Sequence, residues 1–109
     1  MVGGMPRRYR PIDYRAVRES VSISRILAYW GFEPTVWRGD RLRGRCLLAD
    51  CCGSNRSLSI DIERSLWYCF VCRRGGDQLE LWRLVRGVSL YVAALELCAL
   101  VGRPVPYLR

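Results

Sequence analysis

Hydrophobic and polar positions change their rhythm along this chain. Ile23, Ile26, Leu27 and Trp30 recur at helical spacing, which predicts a helix with one apolar stripe turned to the core. Ser22 stands where its N-cap belongs and Gly31 where it should end. Just upstream, Asp13 is placed to cap a shorter helix running to about Glu19. From Val36 the period drops to two. The stretch "VWRGDRLRGRC" predicts strand, a turn at Gly39 and Asp40, and strand, and "SLSIDIERSLWYCF" predicts a second hairpin turning near Glu63, Arg64 and Ser65. Leu58, Ile60 and Ile62 share one side of their strand, and Leu66, Tyr68 and Phe70 share one side of the next; these sides are expected to form the buried face. Gly75 and Gly76 then loosen the backbone.

Helical rhythm returns with Asp77 as an acidic N-cap and Glu80 at the capping-box position. This helix should run to about Arg86 and stop at Gly87. Ser89 caps a last helix, apolar on nearly every side, that ends at Gly102, and Pro104 and Pro106 keep the C-terminal residues extended. The predicted fold class is therefore α+β, with three to four antiparallel strands flanked by short helices. A flexible basic arm over 1–11, one domain over 12–102 and an extended tail over 103–109 complete the division, and 109 residues allow one ordinary domain.

Charge narrows the partners. All 18 basic side chains are Arg, against 10 acidic ones, for a net charge of +8. Such a balance favours polyanions, nucleic acid above all, and Arg forks onto phosphate and stacks on bases more readily than Lys. A base-composition bias of the genome is the alternative source of so many arginines. The longest apolar stretch, "LYVAALELCALV", carries Glu96 and is well short of the roughly 20 residues a bilayer crossing needs. The first residues, "MVGGMPRRYRP", have charge without the apolar run of a secretory signal. A soluble, cytoplasmic protein with no membrane partner is expected.

Six cysteines in a reducing compartment argue for metal ligation over disulfides. Histidine is absent, so any metal site must be built from Cys or carboxylate. Cys46 and Cys51 stand in a C-x4-C arrangement, a seventeen-residue spacer with a hairpin comes next, and Cys69 and Cys72 close it as C-x2-C. Two such knuckles facing one another are the layout of a zinc ribbon, whereas a redox C-x-x-C would open a helix after a strand and face no second cysteine group. Tetrahedral closure uses either Cys51 or Cys52 as the second ligand. Cys98, inside the apolar last helix, reads as a small buried residue. Four thiolates around one Zn2+ carry net negative charge, and Arg45, Arg73 and Arg74 flank the ligands where they can offset it.

The run "LRGRC…SLSIDIERSLWYCFVCRRGGDQLEL" resembles the Cys-His-Cys-Cys zinc-binding domain at the N-terminus of bacterial DNA primases. In that family a G-x-C knuckle precedes a Ser-rich strand, an aromatic-Cys-Phe-x-Cys knuckle, a glycine step and a helix. "YRAVRESVSISRILAYWG" is similar to the family's opening helices and "VRGVSLYVAALELCALVG" to its closing segment, so the likeness spans roughly residues 12–102. The family's usual His ligand, three residues after the first Cys, is replaced by Ala49 here. Counting back from Ser57, Leu58 and Ser59 by the family's spacing favours Cys51 over Cys52. Family primases also continue into a polymerase domain with a cluster of acidic metal ligands, and the ten acids of this sequence are scattered.

The resemblance implies one structural Zn2+ and a template-binding role in primer synthesis, without catalysis by this chain alone. Single-stranded DNA is the expected partner, with a separate primase polymerase or helicase chain as a second. Arg41, Arg43 and Arg45 alternate along one strand and should share a sheet face, with Trp67 expected beside them. Guanidiniums around an aromatic ring supply phosphate contacts and base stacking; Arg73 and Arg74 are further candidate contacts. The competing expectation is a zinc-stapled protein-interaction module that docks through the last helix or the tail "RPVPYLR".

Overall fold

Side-chain caps set the helices. In the computed structural model, which describes residues 10–108, α1 (Tyr14–Ser20) begins where Asp13 accepts the Ala16 N–H at 3.1 Å. α2 (Ile23–Tyr29) begins where Ser22 accepts from Arg25 at 3.2 Å. α3 (Gln78–Arg86) is capped by Asp77 and closed by Gly87 in the left-handed region, and α4 (Leu90–Leu100) is capped by Ser89. Each cap satisfies an N–H group that the first helical turn leaves without a partner. No described helix is long and apolar enough to cross a membrane.

Five strands lie between α2 and α3: β1 (Val36–Arg38), β2 (Arg41–Gly44), β3 (Leu58–Asp61), β4 (Leu66–Cys69) and β5 (Gly75–Asp77). They pair in sequence order as an antiparallel sheet. The α+β class holds, with one strand more than the sequence predicts. Gly75 and Gly76 form that strand instead of loosening the chain. A Cβ on Gly75 would stand 2.7 Å from the Trp67 carbonyl oxygen and 2.8 Å from Tyr68 Cδ1, so the bare backbone lets β5 close on β4 beneath the tyrosine ring.

The phase of β4 is the main correction. Ile60 pairs with Trp67 and Leu58 with Cys69, and all four are buried. Leu66, Tyr68 and Phe70, expected in the core, point outward and are 45%, 41% and 57% exposed. Every residue from Leu66 to Phe70 is apolar or aromatic, so alternation alone cannot fix which side turns in, and a shift of one position flips the whole set.

The buried side chains form two clusters. One joins α1, α4 and parts of α2 and α3 through Ile12, Val17, Ile26, Leu79, Trp82 and Leu97. The other joins the inner sheet face to Ile23, Leu27 and Leu81 and includes Cys46 and Cys69. Thus α2 and α3 lie across the seam and hold the sheet against the helices. The tail folds back to pair with the start of the domain: Asp13 donates to the Pro106 carbonyl at 2.8 Å and Leu108 to that of Pro11 at 2.9 Å. Residues 1–9 of the expected basic arm lie outside the described residues.

Candidate metal centre and outer sheet face

The second knuckle grows out of β4. Cys69 accepts at its carbonyl from the Arg73 N–H and donates its own N–H to the Arg74 carbonyl, both at 2.8 Å, and Arg73 takes φ +58° to complete the turn. The first knuckle leaves β2 at Gly44, and the Cys51 N–H returns to the Leu48 carbonyl at 3.1 Å. These turns bring the sulfurs of Cys46, Cys51, Cys69 and Cys72 to within 4.8 Å of one another. Cys46 Sγ is 4.0 Å from Cys72 Sγ, and Cys51 Sγ is 3.6 Å from Cys69 Sγ. Metal–sulfur bonds of about 2.3 Å in a tetrahedron place sulfurs about 3.8 Å apart, so the donor set fits one four-coordinate ion. Cys52 is exposed and stands outside the group, and Cys98 is buried in the helical cluster.

Four thiols this close cannot share negative charge without a cation. Burial pushes the Cys46 and Cys51 thiols up. Burial opposes ionisation of Cys69 as well, but the N–H groups of Cys72 and Val71, the Cys72 thiol and the Ser57 hydroxyl outweigh it and bring Cys69 down to about 6. Arg74 reaches Asp50 at 2.6 Å, and its guanidinium is held charged by Asp50 and by Cys72. It ties the two knuckles together while setting positive charge beside the sulfurs. Arg45 and Arg73 are exposed around the same rim.

The outer sheet face is built from the opposite phase. Register places Arg43, Ser59, Tyr68 and Gly75 in one row across β2 to β5, and Arg41, Asp61 and Leu66 in the next. Phe70 continues beyond β4, where its N–H bonds the Ser57 carbonyl at 2.9 Å. Tyr68 and Phe70 meet edge to face, with ring centres 5.1 Å apart. The Arg43 guanidinium lies 4.9 Å from the Phe70 ring centre and donates twice to the Arg56 carbonyl, at 3.1 and 2.7 Å. Arg43 is thus held in place over the aromatic surface with donors to spare.

Trp67 does not belong to this face. It is 3% exposed and donates its indole N–H to the Asp77 carbonyl at 2.9 Å, so it cannot stack on a base. Tyr68 and Phe70 hold the position assigned to it. The signal that finds them is parity with Cys69: a ligand at Cys69 must turn toward the first knuckle, which carries Trp67 inward and its neighbours outward.

On the helical side, Tyr29, Trp30, Trp82 and Leu100 line an open cleft of about 610 Å³ together with the Arg86–Glu96 ion pair. The last helix and the tail, the docking elements expected of an interaction module, are largely spent internally, with Ala93, Ala94, Leu97 and Cys98 buried and Val105 and Tyr107 packed on their cluster.

No protein-family model and no curated protein matches the sequence. Among solved structures, the chain is similar to the Aquifex aeolicus primase comprising zinc-binding and RNA polymerase domains, with a TM-score of 0.71 at 22% identity. The alignment takes in 85% of this chain and 22% of the primase chain. Over that span, the fold built around the four cysteines is one that a primase also carries.

Proposed function

We propose that the chain is a single-stranded DNA-binding module of primase type, stapled by one Zn2+ held by Cys46, Cys51, Cys69 and Cys72. Zinc suits four thiolates in a tetrahedron, and a closed four-ligand site is structural. The ion would lock the two knuckles, and with them the ends of β2 and β4.

The observation that carries the DNA-binding reading is the outer face, where Tyr68, Phe70 and Leu66 are exposed on the same side of the sheet as Arg41 and Arg43 of β2. A globular domain gains nothing by turning three such side chains to water in one patch. Aromatic platforms flanked by guanidiniums bind single strands with little regard to sequence. The likeness to a primase supports a role in template binding, alongside a polymerase or helicase chain that performs the chemistry. Among the described residues, the four cysteines are the one group of His, Cys, Asp or Glu side chains close enough to hold a metal. On this reading the purified chain makes no primers from template, nucleotides and Mg2+; primer synthesis would overturn it.

Fluorescence anisotropy with labelled oligothymidine across a salt series tests the DNA reading. Binding should weaken with salt, each phosphate contact contributing about 0.7 to the logarithmic slope. Absence of salt-dependent binding moves the reading to a protein-interaction module, for which the Tyr29, Trp30 and Trp82 cleft is the available surface.

A further inference from the structure

The outer face is uneven in charge. At one end Arg43 has no acidic neighbour within ion-pair distance among the described residues, whereas at the other Arg41 and Arg64 converge on Asp61. There the surface sinks into a cleft of about 520 Å³, lined in part by Arg41, Ser59, Asp61, Arg64, Tyr68 and Gly75. The size is that of a small-ligand site. The Tyr68 ring lies over the bare backbone of Gly75, in the space a Cβ would take, and Tyr68 remains 41% exposed where it lines the cleft. Asp61 accepts the Arg64 backbone N–H on Oδ1 at 3.1 Å. Its Oδ2 has only loose ion pairs, at 3.5 Å to Arg41 and 3.9 Å to Arg64. Its carboxylate is 15% exposed, and its lone pairs are not exhausted.

We infer that this cleft reads one guanine base of the bound strand, a step that rests on the single-strand-binding reading above. The base stacks against Tyr68, Asp61 accepts from its N1–H and 2-amino group, and Arg41 donates to O6 and N7. Guanine alone among the four bases presents two adjacent donors followed by two adjacent acceptors, which match a carboxylate beside a guanidinium. Cytosine and adenine each offer an amino group without a second donor beside it. Thymine offers one N–H between two carbonyls, and these repel the carboxylate. Asp61 thereby excludes as well as selects, because an unmatched base leaves it facing oxygen. The rest of the face, with Arg43 and Phe70, has no such acceptor and holds its nucleotides by charge and stacking.

The test uses labelled oligothymidine carrying a single central guanine, adenine or cytosine, titrated by anisotropy at one salt concentration with the zinc-loaded full chain. The guanine strand should bind roughly tenfold tighter than plain oligothymidine, the scale of one good bidentate contact. Deoxyinosine, which lacks the 2-amino group, and 7-deaza-deoxyguanosine, which lacks N7, should each lose about threefold of that gain. Asp61→Asn should abolish the preference, read as the ratio of the affinities of that variant for the guanine strand and for plain oligothymidine, so that any change in overall affinity cancels. If plain oligothymidine binds but guanine gives no advantage over adenine and cytosine, the base-reading cleft is wrong and the binding face stands. If no strand binds, both fall.

Discussion

Arg18 and Asp77 join the first helix to the third: the guanidinium Nε of Arg18 lies 2.6 Å from Asp77 Oδ2, while Oδ1 of the same carboxylate accepts the Glu80 N–H at 2.9 Å. Asp77 also ends β5 and offers its carbonyl to Trp67. One residue thereby fixes helix start, strand end and helix–helix contact. Asp77→Ala should cost about 1–2 kcal/mol in denaturant unfolding, mostly from the lost cap. Arg18→Ala, which removes a partly exposed ion pair, should cost less than about 1 kcal/mol. Equal losses would mean that the ion pair, not the cap, dominates.

Metal content separates the adjacent cysteines. Cys51→Ser and Cys69→Ser should each lose the bound ion on dialysis, with the second hairpin destabilised, whereas Cys52→Ser should retain one zinc per chain. Retention in Cys51→Ser with loss in Cys52→Ser would place the ligand at the exposed position. Retention in all three would remove the site altogether. A strong chelator should likewise unfold the sheet end of the chain, since binding free energy at such sites is folding free energy.

DNA binding should depend on the outer phase of β4 and not on the inner one. Tyr68→Ala and Phe70→Ala should each weaken oligonucleotide affinity by roughly tenfold with little change in salt slope, the signature of lost stacking. Trp67→Phe removes the indole N–H bonded to Asp77 and should lower stability while affinity stays near wild type. A triple Arg41, Arg43 and Arg45→Ala change should exceed an equal charge removal at Arg7, Arg8 and Arg10. Equal losses would mean that a diffuse positive field does the binding.

Acid should act through Glu96. It accepts from Trp82 at 2.8 Å and from Arg86 twice at 3.0 Å, and these bonds, Arg86 foremost, hold its carboxyl below the ordinary value of 4.5. A carboxylate depressed by folding contributes stability that is present above its unfolded value and is lost as pH falls through the folded one. Wild type should therefore exceed Glu96→Gln in stability at neutral pH, and the gap should narrow below about pH 4.5. A gap that persists in acid would assign the effect to packing.

The parts legible in the sequence are those where one residue type does one job. Asp13, Ser22, Asp77 and Ser89 stand where caps belong and act as caps, because a short acceptor before an apolar stripe has few other uses. The two cysteine knuckles stand out by spacing alone. The strand from Leu66 to Phe70 does not, since both of its phases are greasy and only the contact between Cys69 and the first knuckle chooses between them. Gly75 and Gly76 read as slack for a related reason: their role depends on how near Trp67 and Tyr68 come, a tertiary fact. The cleft around Asp61 escapes as well, for its residues come from β2, β3, β4 and β5 and from the turn between β3 and β4.

The pairing of Ile12 with Tyr107 also decides how the domain can be tethered. Residues 10 and 108 leave the structure side by side, clasped to the helical cluster in which no residue of the outer sheet face takes part. A label or a fused polypeptide joined through residues 10 or 108 would hang from this one handle, which belongs to the helical cluster and not to the sheet face that carries Tyr68 and Phe70.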